Sequence, residues 1–333
     1  MTNMNDVARE AGVSRGTVSN YLNGKNIKEE SKNKIREAIK KLNYVKNNAA
    51  HDLRSKQSSL VVLIIPTVWT PFFSELTYWI QHYLYLKNYK LILCISEHDY
   101  SRETEYIKMA NEQRVAGIIT ISYSNLTKKI AMGIPLVSIE RELTGLFPLV
   151  SSDNYMGGQL AAQELIKKGA ERLICLSMPT KLSGSLKSRD SGFIDYCNER
   201  HLDFKFFYLP EIKNIVDFRK KLSEVLSEDI CPNYEKKKLG IFTTTDDIAI
   251  EALPILKKMR WEAPEDVQII GFDGGKREIN APVFVSSIRQ PIEEIAEKSV
   301  SILDGQIKEK KDWERVPRVF LPVKFVEGPT TRC

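Results

Sequence analysis

The sequence predicts an α/β protein in two parts, a small all-α helix-turn-helix head and a core of two doubly wound parallel-sheet subdomains. The chain has 333 residues, which suggests about two or three domains. Amphipathic helical patterns fill its first segment, and from Leu60 onward short apolar runs alternate with helical patterns. The second arrangement is typical of βαβ units and of sheets covered on both faces.

The net charge supports the same division. The chain has 49 Lys and Arg against 43 Asp and Glu, a net charge of +6. Residues 1–58 hold 12 of the basic and 6 of the acidic side chains, so this segment carries the whole excess. The rest of the chain is neutral, with 37 of each. A basic head on a neutral body is the electrostatic pattern of a nucleic-acid-binding protein, although a solvated basic helix has the same charge.

The first helix is predicted to begin after Asn3 and to end at Gly12, and Ser14 is predicted to cap a second helix. At about 100° per residue, the second helix has a packing half and an outward half. The packing half holds Thr17, Val18, Tyr21 and Leu22, and the outward half holds Arg15, Gly16, Ser19 and Asn20.

The outward half suits the major groove of DNA. Arg15 can donate two hydrogen bonds to guanine, and Asn20 can pair bidentately with adenine. Gly16 has no side chain, which permits close approach to DNA at a cost of about 1 kcal/mol in helix propensity. The alternative is an ordinary surface helical hairpin.

A third helix over residues 31–42 would complete a small core, and a polar segment follows it. In that segment Asn47 could cap a short helix carrying Ala50 and Leu53, residues that suit a wedge in the minor groove. The alternative is a plain linker, because the segment has too little apolar surface to fold alone.

Six apolar runs are the predicted strands of the core: LVVLII, LILCIS, GIITIS, LICLS, LGIFTT and VQIIGF. In open α/β sheets ligands bind at the carboxyl ends of the strands, so two such halves predict a shared cleft.

No catalytic pattern is present. The sequence lacks GxGxxG after the first strand, GxxxxGK[ST], HExxH and GxSxG, and its four histidines are isolated. Its five cysteines are scattered, with no zinc or redox spacing. We therefore expect a protein that is not an enzyme, with no cofactor and no metal. The N-terminus has no signal pattern and no apolar run could span a bilayer, so a cytoplasmic protein without a membrane partner is predicted.

The runs DVAREAGVSRGTVSNYLNG and LNYVKNNAAHDLRSKQS resemble the head and hinge of the lactose/galactose repressor (LacI/GalR) family of bacterial transcription regulators. The resemblance implies that base-reading positions include Arg15, Gly16 and Asn20, and that Leu53 is the hinge leucine inserted into the operator. The implied DNA-binding set is Ser14, Arg15, Gly16, Thr17, Ser19, Asn20, Asn47, Ala50 and Leu53. Two departures are Lys46, where many members have proline, and Lys28, in place of a capping serine or threonine.

The resemblance also implies a core like that of periplasmic binding proteins. The implied domains are a DNA-binding domain at 1–46, a hinge at 47–58 and an effector-binding and dimerisation core at 59–333. Within the core, the N-subdomain would comprise about 59–160 and 290–321, and the C-subdomain about 161–289 and 322–333.

Four residues are implied to bind an effector: Phe72 in TPFF, Arg189 in RDSGF, Asp246 in TTTDD and Asp273 in GFDG. A guanidinium and a carboxylate can bracket sugar hydroxyls, and an aromatic face can stack on a sugar ring. Phe72 could equally be a core residue. Thr245 replaces the asparagine of the family pattern, and Trp69 stands where a small polar residue is usual.

The predicted function is a sequence-specific transcriptional repressor of a sugar-utilisation operon, acting as a homodimer on a near-palindromic operator. Similarity to the sucrose-operon repressor subgroup implies release by a sugar or sugar phosphate, related to sucrose or fructose. A purine- or phosphoprotein-responsive regulator of the same family is one alternative. A sugar-binding protein without regulatory DNA binding is another.

Overall fold

The structure is a computed structural model that describes residues 2–45, 58–122, 134–143, 145–178, 184–210, 215–309 and 316–332. The chain forms two compact units, Met1–Ser58 and Ser59–Cys333.

The described residues of the first unit form three helices, α1 (Met4–Ala11), α2 (Arg15–Leu22) and α3 (Glu29–Lys41). Asn3 forms a capping box with α1, and Gly12 ends that helix with a left-handed backbone (φ +65°). The predicted caps Asn3, Gly12 and Ser14 are therefore confirmed, and Lys28 provides no side-chain cap for α3. The buried centre of the unit consists of Val7, Ala8, Ala11, Val18, Ile35 and Ala38.

The described residues of the second unit form two six-stranded sheets. The strands of the first sheet are β1 (Leu60–Ile65), β2 (Lys90–Ile95), β3 (Gly117–Thr120), β4 (Leu136–Ile139), β5 (Leu149–Ser152) and β11 (Arg318–Leu321). They run parallel in the order β11-β5-β4-β3-β1-β2. Helices α4 (Pro71–Leu86) and α10 (Ile292–Glu309) cover one face, and α5 (Tyr100–Glu112) covers the other.

The second sheet repeats this plan. Its strands are β6 (Arg172–Ser177), β7 (Asp203–Tyr208), β8 (Leu239–Thr243), β9 (Val267–Asp273), β10 (Ser287–Arg289) and β12 (Lys324–Val326). The order is β12-β10-β9-β8-β6-β7, and only β12 is antiparallel to its neighbour. Helices α6 (Asn154–Lys167) and α7 (Ser185–Glu199) pack on one face. On the other lie α8 (Ile215–Glu224), a π-helical turn at Val225–Ile230, and α9 (Asp246–Lys258).

The chain passes between the two sheets before α6, before α10 and between β11 and β12. All of α6 lies with the second sheet, since its Gly158 meets the backbone of Arg189 and its Ala161 and Leu165 enter the core there. The first passage therefore lies near residue 153, ahead of the expected boundary at about 160. None of the described helices combines the length and apolarity needed to cross a membrane.

Candidate functional site

Local hydrogen bonds of Ser14 fix the start of α2, the helix that carries the outward face. Ser14 Oγ accepts a hydrogen bond from the backbone N–H of Thr17 at 3.1 Å and lies 2.9 Å from Thr17 Oγ1. Arg15, Gly16 and Asn20 are exposed, while Thr17 and Ser19 are partly covered. The structure thus brings these five predicted residues onto one short helix, with Ser14 at its start.

Charge pairing in the head leaves Arg15 available. Lys41 binds Glu10 at 2.6 Å, which raises the pKa of Lys41, and Arg9 binds Asp6 at 2.7 Å. Among the described residues Arg15 has no ion-pair partner. An exposed guanidinium without a competing carboxylate can bind a base edge or a phosphate. The predicted hinge contacts, Asn47, Ala50 and Leu53, lie outside the described residues.

The second candidate site lies at the carboxyl ends of the strands in both sheets and is centred on Arg189. Arg189 lies in the second turn of α7 and is 4% exposed. Its Nε donates to Asn154 Oδ1 at 2.8 Å, and its Nη1 donates to Thr244 O at 2.7 Å. The guanidinium carbon lies 3.6 Å from the centre of the Phe272 ring, which holds the planar group by stacking.

Asp273, the last residue of β9, lies against Arg189. Its Oδ1 is 3.3 Å from Arg189 Nη1 and accepts a hydrogen bond from Gln290 Nε2 at 2.6 Å. Gln290 follows β10, and its Oε1 accepts from Ser152 Oγ, at the end of β5 in the other sheet, at 2.7 Å. Asp273 has an unusual backbone for a non-glycine residue (φ +111°), and such strain is often found at functional sites.

The first sheet contributes Glu140, which follows β4 and is 6% exposed. Glu140 Oε2 accepts from Asn154 Nδ2 at 2.9 Å and lies 3.8 Å from Arg189 Nη2. Arg189, Asp273, Glu140, Asn154 and Gln290 together are called the inter-sheet polar cluster below. Because its members come from both sheets and from two passages between them, the cluster joins the two sheets at the carboxyl ends of their strands.

Asp246 is used within the protein. Its Oδ2 accepts from the Gly275 backbone N–H and its Oδ1 accepts from Ser287 Oγ, both at 2.6 Å. These bonds hold the turn that follows Asp273. Burial, followed by the nearby charge of Asp273, raises the pKa of Asp246 well above its usual value. Thr245, beside it, has a buried hydroxyl oxygen without a partner in the described structure.

Burial also raises the pKa of Asp273 to about 7, although Arg189 and the Gln290 hydrogen bond act in the opposite direction. A carboxyl group this poorly solvated gains from a hydrogen-bond donor on a ligand. Within the described ranges, no group of three His, Cys, Asp or Glu side chains has a metal-binding arrangement.

Phe72 and Trp69 differ sharply in exposure. Phe72 is 7% exposed, belongs to the core beneath the first sheet and packs edge to face on Phe73. This is the packing alternative that the sequence left open. Trp69, in the loop between β1 and α4, is 93% exposed. That loop follows the carboxyl end of β1, at the same edge of the first sheet as Glu140.

Sequence reasoning missed Glu140, Asn154 and Gln290. Each follows the end of a strand that was not among the six predicted, because β4, β5 and β10 are only three or four residues long. Polar residues directly after short apolar runs, as in VSIE, SSDN and SIRQ, were the available signal.

The chain matches two family models. Residues 3–47 match bacterial regulatory proteins of the lacI family, and residues 162–331 match the periplasmic binding protein-like domain. It is 31% identical to the sucrose operon repressor of Pediococcus pentosaceus over 98% of both chains. It is 30% identical to the ribose operon repressor of Bacillus subtilis over 100% of this chain and 99% of that one.

One solved structure that matches is the lac repressor dimer bound to operator and the anti-inducer ONPF. It shares 18% identity and a TM-score of 0.83, and the match covers 100% of this chain and 99% of that one. At this identity it supports the fold of head and core. The capped helical head with its exposed α2 face, the pair of sheets and the two full-length relatives lead to one conclusion. The chain belongs to the lacI family of bacterial regulatory proteins and is a DNA-binding transcriptional regulator.

Proposed function

We propose that the protein is a homodimeric repressor of a sugar-utilisation operon and that a sugar releases it from its operator. The proposed sugar response rests on the inter-sheet polar cluster. In this cluster Arg189 and Asp273 meet at the ends of the strands in both sheets. A ligand bound there would contact residues whose hydrogen bonds join the two sheets.

The donors and acceptors of the cluster suit a polyol. A planar guanidinium and a carboxylate side by side offer donors and acceptors at the spacing of adjacent sugar hydroxyls. The names of the relatives, sucrose and ribose operon repressors, support the same class of ligand. Trp69, rather than the buried Phe72, is the exposed aromatic residue that we assign to stacking on the sugar.

Release follows from the contacts that the ligand would replace. Asp273 is joined through Gln290 to Ser152, and Arg189 is joined through Asn154 to Glu140. A sugar hydroxyl bound between Arg189 and Asp273 would compete for these bonds and shift the sheets toward a second arrangement. An effector acts only through such differential affinity for two states.

The dimer surface that we propose lies on α4. Tyr78, Tyr85 and Leu86 are 51%, 71% and 59% exposed, and exposed aromatic residues on one helix are typical of an association surface. A dimer presents two α2 helices to two half-sites of a near-palindrome.

The test begins with the full-length protein and a randomised DNA library, from which bound sequences are selected. We expect a near-palindromic consensus. Fluorescence anisotropy with that DNA then measures affinity in the presence of sucrose, fructose, ribose, their phosphate esters or purines, and at least one sugar is expected to weaken binding. Selection of DNA without a consensus would contradict operator reading. Release by a purine alone would support the purine alternative instead.

A further inference from the structure

Asp190 is a buried carboxyl group that the proposed function has not used. It follows Arg189 in α7 and is 4% exposed. Its Oδ1 has no hydrogen-bond partner in the described part of the chain. A buried acceptor left without a donor costs about 1 to 3 kcal/mol, so a functional reason for keeping a carboxylate here is needed.

The surroundings of Asp190 lie at the carboxyl edge of the second sheet. Ser177, the last residue of β6, donates a hydrogen bond to the Asp190 carboxyl group, and Ser177 Oγ accepts from Thr244 Oγ1 at 3.3 Å. The carbonyl of Thr244 accepts from Arg189. Hydroxyl and carboxyl groups therefore continue from the inter-sheet polar cluster along the ends of β8 and β6.

Burial raises the pKa of Asp190 to about 6, against the opposing effects of the Ser177 hydrogen bond and the Arg189 charge. The same carboxyl group contributes to the raised pKa of Tyr208, at the end of β7. Arg189 has more direct partners in Thr244, Asn154 and Asp273, so it does not satisfy Asp190.

Strand order sets the separation of the two acids. Asp273 ends β9 and Ser177 ends β6, with β8 between them. Neighbouring strands lie about 4.8 Å apart, so the two strand ends are roughly 10 Å apart. A sugar that carries hydroxyl groups on opposite edges can bridge such a separation when each edge forms a hydrogen bond.

We propose that Asp190 is a specificity-determining residue of the effector site and that its free oxygen accepts a hydrogen bond from a hydroxyl group of an uncharged sugar. This inference rests on the proposed sugar response and sharpens it. A site built to receive a hydroxyl donor rejects ligands that lack one. A phosphate or carboxylate placed at the same point would bring a second anion against Asp190, while the guanidinium of the neighbouring Arg189 is already bound by Asn154, Thr244 and Asp273. The effector class is therefore the free sugar rather than the sugar phosphate.

The experiment compares three forms of the full chain by calorimetric titration at pH 7.5: the unaltered protein, Asp190→Leu and Asp190→Asn. The probes are sucrose, fructose, ribose, glucose and the 6-phosphates of fructose and glucose. Leucine has nearly the same shape and no acceptor, while asparagine keeps one acceptor and removes the charge. The same two substitutions at Asp203 are the control, because Asp203 is an exposed residue at the opposite end of β7.

We expect a free sugar to bind the unaltered protein at least tenfold more tightly than its 6-phosphate. Asp190→Leu should weaken binding of the free sugar at least tenfold, a loss in line with one hydrogen bond to a charged group. Asp190→Asn should weaken binding of the free sugar less than Asp190→Leu does. It should also reduce the ratio of the affinity for the free sugar to that for its 6-phosphate. The Asp203 variants should bind as the unaltered protein does. Melting temperatures without ligand verify that the Asp190 variants are folded.

The outcomes separate the two proposals. Equal affinity of a free sugar for the unaltered protein and for folded Asp190→Leu would overturn the role of Asp190 and leave sugar sensing intact. Tighter binding of a sugar phosphate than of the free sugar would also overturn it. If none of the sugars binds the unaltered protein, the proposed sugar response fails and the inference fails with it.

Discussion

The proposed DNA-reading face of the head and the proposed effector site of the core differ in how they hold their functional groups. Arg15, Gly16 and Asn20 are exposed on a helix of eight residues, fixed by a cap within the same helix. Arg189 and Asp190 are each 4% exposed, and partners far along the chain fix Arg189.

The difference follows from the ligands. DNA is a large ligand that can contact side chains exposed on the protein surface. The protein therefore needs only exposed hydrogen-bond donors that are not already paired with a carboxylate. A small molecule is recognised by groups removed from water, and the protein must stabilise those groups while the site is empty. The raised pKa values of Asp190, Asp246 and Asp273 reflect that cost.

The largest expected effect is on stability at the core site. Arg189→Leu leaves the buried Glu140 and the partly buried Asp273 without their cation and should lower the free energy of unfolding by about 3 to 5 kcal/mol. Urea unfolding of the full chain measures it. The matched control is Arg172→Leu, because Arg172 is half exposed and pairs with the exposed Asp203, so its loss should cost about 1 kcal/mol or less. Similar losses in both variants would show that burial does not set the strength of these pairs.

The next largest expected effect on the free energy of unfolding is that of Asp190, and the direction of its pKa shift determines how this effect changes with pH. Its pKa is raised from 3.8 to about 6, so the folded state binds more protons than the unfolded state between these values. The contribution of this group to stability therefore falls as pH rises from about 4 to about 6 and stays low above. Asp190→Asn should raise the free energy of unfolding at pH 7.5 by about 2 to 3 kcal/mol.

Urea unfolding of both proteins at several pH values tests this sign. The advantage of Asp190→Asn should shrink as pH falls toward 4, where the native carboxyl group is already protonated. A variant less stable than the unaltered protein at pH 7.5 would contradict the cost assigned to the buried charge.

The sequence predicted the head more completely than the core. Asn3, Gly12 and Ser14 act through hydrogen bonds and backbone angles within a few residues, so their roles can be read from spacing alone. The long apolar strands such as Leu60–Ile65 were equally plain. These features need no knowledge of distant partners.

The contacts of the core site could not be predicted in that way. Gln290 joins Asp273 to Ser152, and their positions along the chain give no hint of this pairing. The resemblance to a family identified Arg189 and Asp273 but gave no sign of Asp190, because its significance depends on burial. Phe72 shows the same limit, since a phenylalanine at a helix start has one pattern whether it lines a pocket or a core.

At the head, Arg15→Ala should reduce base discrimination at one operator position by about 1 to 3 kcal/mol, because a bidentate contact to guanine is lost. Binding to the selected consensus and to single-base variants of it, at one salt concentration, measures the change. Arg9→Ala is the control, since Arg9 is exposed in α1 and already paired with Asp6. A uniform loss over all DNA sequences would assign Arg15 to a phosphate instead.

The smallest expected effect is on the stability of the head, where alanine substitutions at Gly16 and Gly12 should act in opposite directions. Gly16 lies in α2 with ordinary backbone angles, and a Cβ added there would meet only Ser14 Oγ, at 3.6 Å. Gly16→Ala should therefore stabilise the head by up to about 1 kcal/mol while weakening DNA binding, because the methyl group blocks close approach. Gly12→Ala also finds open space, but its φ of +65° disfavours any side chain, so it should destabilise the head by about 1 kcal/mol. Amide hydrogen exchange of α1 and α2 in the full chain measures both. If Gly16→Ala stabilised the head and left DNA affinity unchanged, Gly16 would be a residue that DNA does not approach closely, and it would be removed from the reading face.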